Sequence, residues 1–215
     1  NYAMNIIGGA RRDINEEIEK DLREKLNILK EDFKAIFDIY ANDKTVALRT
    51  KGVGVLTNEE AFIYGACGPH GRASGMKDDV RKVDPYCSYD DFDFKAIVQA
   101  EGDVFSRAVV RLLEIEESIK IIEQALDNMP DTPINLGMKM PKVPKGEYFS
   151  RIEAPRGEVS YYVVSNGGQT NGRVNIHVPT FKNAATVPVM LKDNTIADAG
   201  LIVASIDPCF SCLDR

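Results

Sequence analysis

The sequence has no tryptophan, two histidines and four cysteines in 215 residues. Cys67, Cys87, Cys209 and Cys212 are too few and too unevenly spaced to form a disulfide framework in a chain of this size. No run approaches the roughly 18 consecutive apolar residues that a membrane span needs, so any membrane role is expected to run through partner subunits. The opening residues lack the layout of a signal peptide, and a reducing, cytoplasmic setting is the expectation. An initiating methionine is missing as well: Asn1-Tyr2-Ala3-Met4 reads as the middle of a longer chain. Basic charge is in deficit, with 27 Lys and Arg against 33 Asp and Glu for a net charge of -6. That balance argues against nucleic acid as the main partner. There is no internal repeat and no second CxxC.

What is present is ordinary in bulk, 44% hydrophobic and 28% charged, and long enough for one well-packed domain. Asp13 is placed to cap a first helix, with Glu16 as its capping-box partner. Ile14, Ile18, Leu22, Leu29, Phe33, Ile36 and Tyr40 then recur at steps of mostly three or four, which predicts an amphipathic helix to about Asn42. Its interspersed Glu and Lys read as a solvated face. TNEEAFIY (57–64) predicts a short helix capped by Thr57 or Asn58. Residues 65–94 are glycine-rich and then dense in charge, which excludes a long regular element. A second long helix follows, capped by Asp103, with Phe105, Val109, Leu112, Ile119, Ile122 and Leu126 on one face and Met129-Pro130 at its end. Prolines make 130–146 a poor candidate for helix or strand.

The last third is different in character. GEVSYYVVSNG (157–167) and GRVNIHVP (172–179) predict a β-hairpin across Gly168-Gln169-Thr170-Asn171. A short helix is expected over 181–191, interrupted by Pro188. An apolar run, 196–206, leads to DPCFSCLDR. The fold class is therefore α+β, a single unit over 1–215 that is mainly helical over 1–130, with the hairpin and a C-terminal metal-ligand segment over 147–215.

Cys209 and Cys212 form the CxxC. Two thiolates at this spacing can converge on a metal or form a redox disulfide. A thioredoxin-type site would need the motif after a first strand. A structural zinc site would need two more ligands, for which only His70, His177, Cys67 and Cys87 are at hand, at spacings that match no compact zinc module. Two inert, buried cysteines remain the plain alternative.

The string DPCFSCLDR resembles the C-terminal signature of nickel-iron hydrogenase large subunits, with Arg215 in the place typical of the membrane-associated, energy-converting branch related to respiratory complex I. GPHGRASGMKDDVRKVDPY, YDDFDF, EESIKIIEQALDNMP and EAPRGEVSYYVVSNG resemble the shared large-subunit pattern in the same order, strongly over 45–215 and more weakly before it. In that family nickel is held by cysteine thiolates from two CxxC motifs, and an iron carrying cyanide and carbon monoxide sits beside it. The resemblance implies Cys209 and Cys212 as nickel ligands, Cys212 also bridging to iron. The other pair lies far upstream in the family and is not in this sequence.

By the same resemblance, Arg156 of Ala154-Pro155-Arg156-Gly157 stands over the metal pair as a fixed cation, and Asp207 of the DPC motif positions it. Pro155 is implied to contact the cofactor, and Thr180 of Pro179-Thr180-Phe181-Lys182-Asn183 to donate to an iron cyanide. The implied partners are an iron-sulfur small subunit, the membrane subunits of the complex, and hydrogen or protons. The implied place is the inner face of the cell membrane, and Arg215 would be the trimmed terminus. With half of the thiolates missing, the chain alone is expected neither to assemble the nickel-iron centre nor to take up hydrogen, and its unpartnered apolar surface favours self-association.

Three functions remain open on the sequence. They are the hydrogenase large subunit, a complex I-type large subunit with a quinone-related cavity and no nickel, and a non-enzymatic CxxC metal-binding module. Arg72, Ser74 and Lys77, with Asp78, Asp79 and Asp84, are candidates for a buried ion network or a proton route, or simply for a structural loop. Cys67, Cys87 and His177 read as structural, and His70 is assigned no role.

Overall fold

The computed structural model describes residues 4–137, 143–168 and 170–214. It is a mixed helix and sheet fold with a small antiparallel sheet, as the α+β expectation requires. The chain opens with a two-stranded ribbon, β1 (Asn5–Ile6) and β2 (Gly9–Ala10), turned at Gly8, whose φ is +89°. The long helix α1 (Glu16–Asn42) begins two residues later than expected. Asn15, not Asp13, is its cap, because the Asn15 side chain accepts from the Ile18 N–H at 2.9 Å. The Asp13 carboxylate is instead taken by the adjacent Ile14 N–H.

Asp43 caps a further helix, α2 (Lys44–Thr50), by accepting from the Thr45 and Val46 N–H groups. The helix α3 (Asn58–Ile63) has Thr57 and Glu60 closing a full capping box. The glycine-rich stretch contributes only short turns of helix, α4 (Gly68–Arg72) and α5 (Val80–Val83). The second long helix, α6 (Val104–Asp127), is capped by Asp103 as expected, and stops at Asn128, ahead of the predicted Met129-Pro130.

The sheet is larger than the predicted hairpin. Strand β3 (Gly146–Ala154) was not legible as a strand, because GEYFSRIEA follows a proline-rich stretch and alternates poorly. It pairs antiparallel with β4 (Gly157–Ser165), which pairs in turn with β5 (Asn171–His177), giving the order β3-β4-β5. Of the predicted β4–β5 turn, Gln169 lies outside the described residues, as do 138–142 of the proline-rich stretch, residues 1–3 and Arg215.

Two short helices replace the one expected over 181–191: α7 (Pro179–Ala184) and α8 (Val187–Leu191). Pro188 falls in the first turn of α8, where its missing N–H costs no hydrogen bond, so it starts a helix rather than bending one. The chain closes with α9 (Ala199–Ser205) and α10 (Phe210–Leu213).

One core gathers Leu56, Ala61, Ala66, Val104, Met190, Ile202 and Ile206. It binds α6, α8 and α9 together and so fixes where the last turns of the chain emerge. A smaller cluster, Leu26, Ile119 and Leu126, seals α1 against α6. Among the described residues no helix is long and apolar enough to cross a membrane.

Candidate metal centre

Two segments far apart in sequence meet at Asp207. The first is the β3–β4 turn, where Ala154 pairs with Gly157 and leaves Pro155 and Arg156 as a two-residue loop. Gly157 has a φ of +127°, and a Cβ there would lie 2.8 Å from the Gly68 nitrogen and 2.9 Å from Cys67 Sγ. A Cβ on Gly68, at φ +63°, would strike Gly157 Cα at 2.4 Å. The turn is therefore pressed backbone to backbone onto the start of α4, and glycine at both positions is what permits it.

The second segment leaves α9. Ile202 is fully buried, and a Cβ on Gly54 would collide with it at 2.7 Å. Arg107, also fully buried, donates to Ser205 Oγ, Gly102 O and Gly54 O at 2.7–2.8 Å, and so ties the end of α9 to two loops. Burial among these neutral acceptors pulls its guanidinium down to about 10. Sequence reading missed Arg107; the only signal was a cation on the buried face of α6, between Val104 and Val110. Beyond this clamp, Asp207 adopts a left-handed backbone with φ +54°, uncommon for a non-glycine residue, and turns the chain into Pro208-Cys209.

At that junction Arg156 Nε donates to the Asp207 carbonyl at 2.7 Å, and Arg156 Nη2 to Asp207 Oδ1 at 3.0 Å. Two contacts from one planar fork fix the plane of the guanidinium. Cys209 sits one residue before α10 and Cys212 on its first turn, where the Cys212 N–H donates to the Cys209 carbonyl at 3.0 Å. The Cys209 N–H donates to Thr180 Oγ1 at 3.3 Å. Thr180 is buried at the start of α7, where it does not act as the helix cap; its hydroxyl anchors the cysteine backbone and keeps a proton of its own to donate. Pro155 stands exposed beside Arg156 on the turn. Direct contacts thus join Arg156 to Asp207 and Thr180 to Cys209, and the short backbone from Asp207 to Cys209 links the two pairs.

The thiols differ in chemistry. Cys209 Sγ lies 3.1 Å from Ser211 Oγ, and its pKa is drawn down to about 7, first by that hydrogen bond, then by Cys212, with a smaller contribution from the Arg156 charge. Burial pushes Cys67 the other way, to about 11. The Cys67 N–H donates to Asn183 Oδ1 at 3.0 Å, and Asn183 Nδ2 donates back to the Cys67 carbonyl at 3.2 Å. Asn183 therefore links α4 to α7, a structural duty for the last residue of the PTFKN segment. Cys87 is exposed, in a left-handed turn.

His70 is fully buried, with Nε2 2.9 Å from Thr186 Oγ1. Thr186 spends its own proton on the Asn183 carbonyl, so His70 Nε2 carries the hydrogen. Burial, with the Arg107 and Arg111 charges, holds this imidazole neutral well below the usual range. His177 does not pack as a strand residue normally would; it is exposed at the end of β5.

The glycine-rich segment does form a buried ion network, with a different membership from the expected one. Lys77, Asp78 and Asp84 are exposed. Arg72 is fully buried and pairs with Glu114 at 2.7 Å, Glu153 at 2.8 Å and Asp79 at 3.7 Å. Arg81 grips Asp79 with two donors, at 2.6 and 2.9 Å. Glu114 and Glu153, far away in sequence, supply the anions that spacing could not reveal.

Among the described residues no three His, Cys, Asp or Glu side chains gather as a self-sufficient metal site. The chemistry of the donor set nevertheless fits part of a thiolate-held metal. It offers two cysteines on one turn, one of them with its thiol drawn down to about 7, beside a fixed cation that offsets thiolate charge.

Comparison with known proteins gives the family of the chain. The chain matches the family described as respiratory-chain NADH dehydrogenase, 49 Kd subunit, over residues 1–140 and 134–215, and belongs to it. It is 40% identical over 210 residues to an NADH-quinone oxidoreductase chain of Clostridium beijerinckii, covering 97% of this chain and 57% of that protein. It is equally similar, at 40% over 210 residues, to the carbon monoxide-induced hydrogenase of Rhodospirillum rubrum, covering 97% and 58%. A chain of the F(420)H(2) dehydrogenase of Methanosarcina mazei is also 40% identical, over 215 residues, with 97% and 58% covered. The chain thus spans somewhat more than half the length of the curated relatives it matches, and it is an oxidoreductase-family chain related to complex I.

Proposed function

We propose that the chain is part of the catalytic large subunit of a membrane-associated nickel-iron hydrogenase, working with an iron-sulfur small subunit and membrane subunits at the inner face of the membrane. The observation that carries this reading is the Cys209–Cys212 turn, bonded through Thr180 and lying beside an Arg156 that Asp207 holds by two contacts. A relative named as a hydrogenase at 40% identity supports it.

Cys209 and Cys212 would hold nickel, with the other thiolate pair supplied upstream, and Cys212 would also face the iron. When bound, the nickel-iron group supplies the redox chemistry that interconverts hydrogen with protons and electrons. This chain's own residues contribute in three ways. The Cys209 thiol is drawn down to about 7, so it gives up its proton to a binding metal more readily than an ordinary cysteine. Arg156, locked in plane by Asp207, presents a fixed positive charge and N–H donors where negative charge develops. Thr180 holds Cys209 by its backbone and would offer its hydroxyl proton to a cyanide nitrogen, and Pro155, beside Arg156 on the turn, would contact the group.

A second reading has its own support: the Clostridium beijerinckii relative, named as part of a quinone oxidoreductase, is as similar as the hydrogenase. In that reading the scaffold holds no nickel and serves quinone reduction. Formation of HD from hydrogen and deuterium oxide by the assembled complex separates the two. Hydrogenase function predicts exchange that Cys212→Ser abolishes. Quinone reduction with no exchange would establish the second reading.

A further inference from the structure

Glu153 is the network member whose charge is least compensated. Its side chain is 5% exposed, on β3, two residues before Pro155. Arg72 gives it one contact at 2.8 Å, and the Val80 N–H a longer one at 3.2 Å. That same guanidinium also gives Glu114 two donors, at 2.7 and 2.9 Å. Asp79 has Arg81 in a bidentate grip, which keeps it ionised, with its pKa lowered. Glu114, 16% exposed, feels the charge of Arg111 as well. Of the two carboxylates that hydrogen-bond Arg72, Glu153 is the more buried and takes the fewer donors from it, so burial penalises its charge more and favours a proton there.

Space on both sides of Glu153 gives this proton somewhere to go. A cavity of about 290 Å³ lies on one side, bordered by Cys67, Asp78, Asp79, Arg151, Glu158 and Lys182. A second, of about 360 Å³, lies on the other, bordered by Glu114, Arg111 and Pro155. Glu153 lines both cavities, and both are large enough for several waters. Arg111 in turn borders a third cavity, which reaches Asp207.

We propose that Glu153 is a proton-carrying residue that joins the cavity beside Cys67 to the cavity beside Pro155, and so supplies protons to the Arg156–Asp207 junction from the surface. The step is a simple relay. The Glu153 carboxyl releases its proton to a water in the second cavity, the carboxylate so formed is held by Arg72, and a hydronium arriving through the first cavity reprotonates it and leaves as water. No oxidant or reductant is involved. The destination of the proton rests on the function proposed above; the relay itself does not, because hydrogen chemistry and quinone reduction both exchange protons.

The charged and titratable groups facing Glu153 are Arg72 from α4, Asp79 and Arg81 at α5, Glu114 with Arg111 from α6, and, around the first cavity, Cys67, Asp78, Arg151, Glu158 and Lys182; the Tyr86 hydroxyl contacts only its backbone. Burial raises its pKa, with Arg72 opposing and Asp79 reinforcing the rise.

The test is infrared spectroscopy of the purified chain, reading the carbonyl stretch of a protonated carboxylic acid against pH in water and in deuterium oxide. A band persisting above pH 4.5, the ordinary glutamate value, is expected, shifting promptly in deuterium oxide and missing from Glu153→Gln. Glu114→Gln removes one of the carboxylates that compete for Arg72 and should move the band's disappearance to lower pH, whereas the prompt exchange in deuterium oxide is what a sealed, purely structural carboxyl would not show. No band above that pH, a band that survives Glu153→Gln, or one that fails to exchange with solvent would each overturn the proposal. A loss of HD formation with the relay intact would instead overturn only the hydrogenase reading.

Discussion

Arg156 and Asp207 lie 51 positions apart and meet through two hydrogen bonds. Lysine could keep the charge at position 156 but not the planar fork, so Arg156→Lys should lower hydrogen turnover of the assembled complex by about 100-fold or more, with little change in melting temperature. Near-normal turnover in that variant would remove Arg156 from the chemistry. The thiols give a second prediction at this scale. Alkylation of Cys209 should rise with pH through about 7, while Cys67, at about 11, stays unreactive under the same conditions. Ser211→Ala removes the first cause of the low value, so the Cys209 profile should move to higher pH. Mass-spectrometric mapping of the alkylated peptides reads both. This pair of segments was legible through the resemblance of APRG and DPCFSC to the family pattern, and not through residue types alone, since an Arg after Pro or an Asp before Pro is by itself ordinary. Thr180 was legible as belonging to the site, but its observed contact, with the Cys209 N–H, depends on where α7 lands.

The elements that carry these residues depend on close backbone approaches and buried caps. The β3–β4 turn seats on α4 only because Gly68 and Gly157 lack side chains. Gly157→Ala combines a φ of +127° with a contact 2.8 Å from the Gly68 nitrogen. It should destabilise the fold by more than the roughly 1 kcal/mol of a simple glycine replacement, and it should displace Arg156 from Asp207. Thermal denaturation and the loss of the Cys209 alkylation shift caused by Arg156 read the two effects. Asp103 holds the other end of the scaffold: its carboxylate accepts from Ser106 N at 2.7 Å, Ser106 Oγ at 2.8 Å and Gly52 N at 2.8 Å. Asp103→Ala removes a cap and strands a buried donor, so a loss of about 2 kcal/mol or more is expected in denaturant unfolding. The two long helices and Thr57's box were legible from periodicity and capping chemistry. Strand β3 was not, since its pairing with β4 is a tertiary choice that GEYFSRIEA does not announce. The Asn15 cap was missed because Asp13 offers the same side-chain chemistry two residues earlier, and only the backbone path decides between them.

For the whole molecule, the arrangement is a scaffold that gathers one thiol pair, one fixed cation and one buried ion network around the last turns of the chain. The network was half legible: Arg72 and Asp79 could be named from the glycine-rich segment, whereas Glu114, Glu153 and Arg107 join only when α4, α6 and β3 converge. Large apolar side chains such as Ile39, Leu48, Phe62, Ile196 and Phe210 stand more than half exposed. The isolated chain is accordingly expected to self-associate, measurable by sedimentation, and to lack hydrogen uptake. The central claim is that Cys209 and Cys212 are nickel ligands. It is tested most directly by the nickel and iron content of the protein purified within its assembled complex, compared with Cys209→Ser and Cys212→Ser. The account predicts nickel and iron together in the wild type, with nickel lost from both variants. A wild-type protein containing no nickel, or nickel unchanged in the variants, would contradict it.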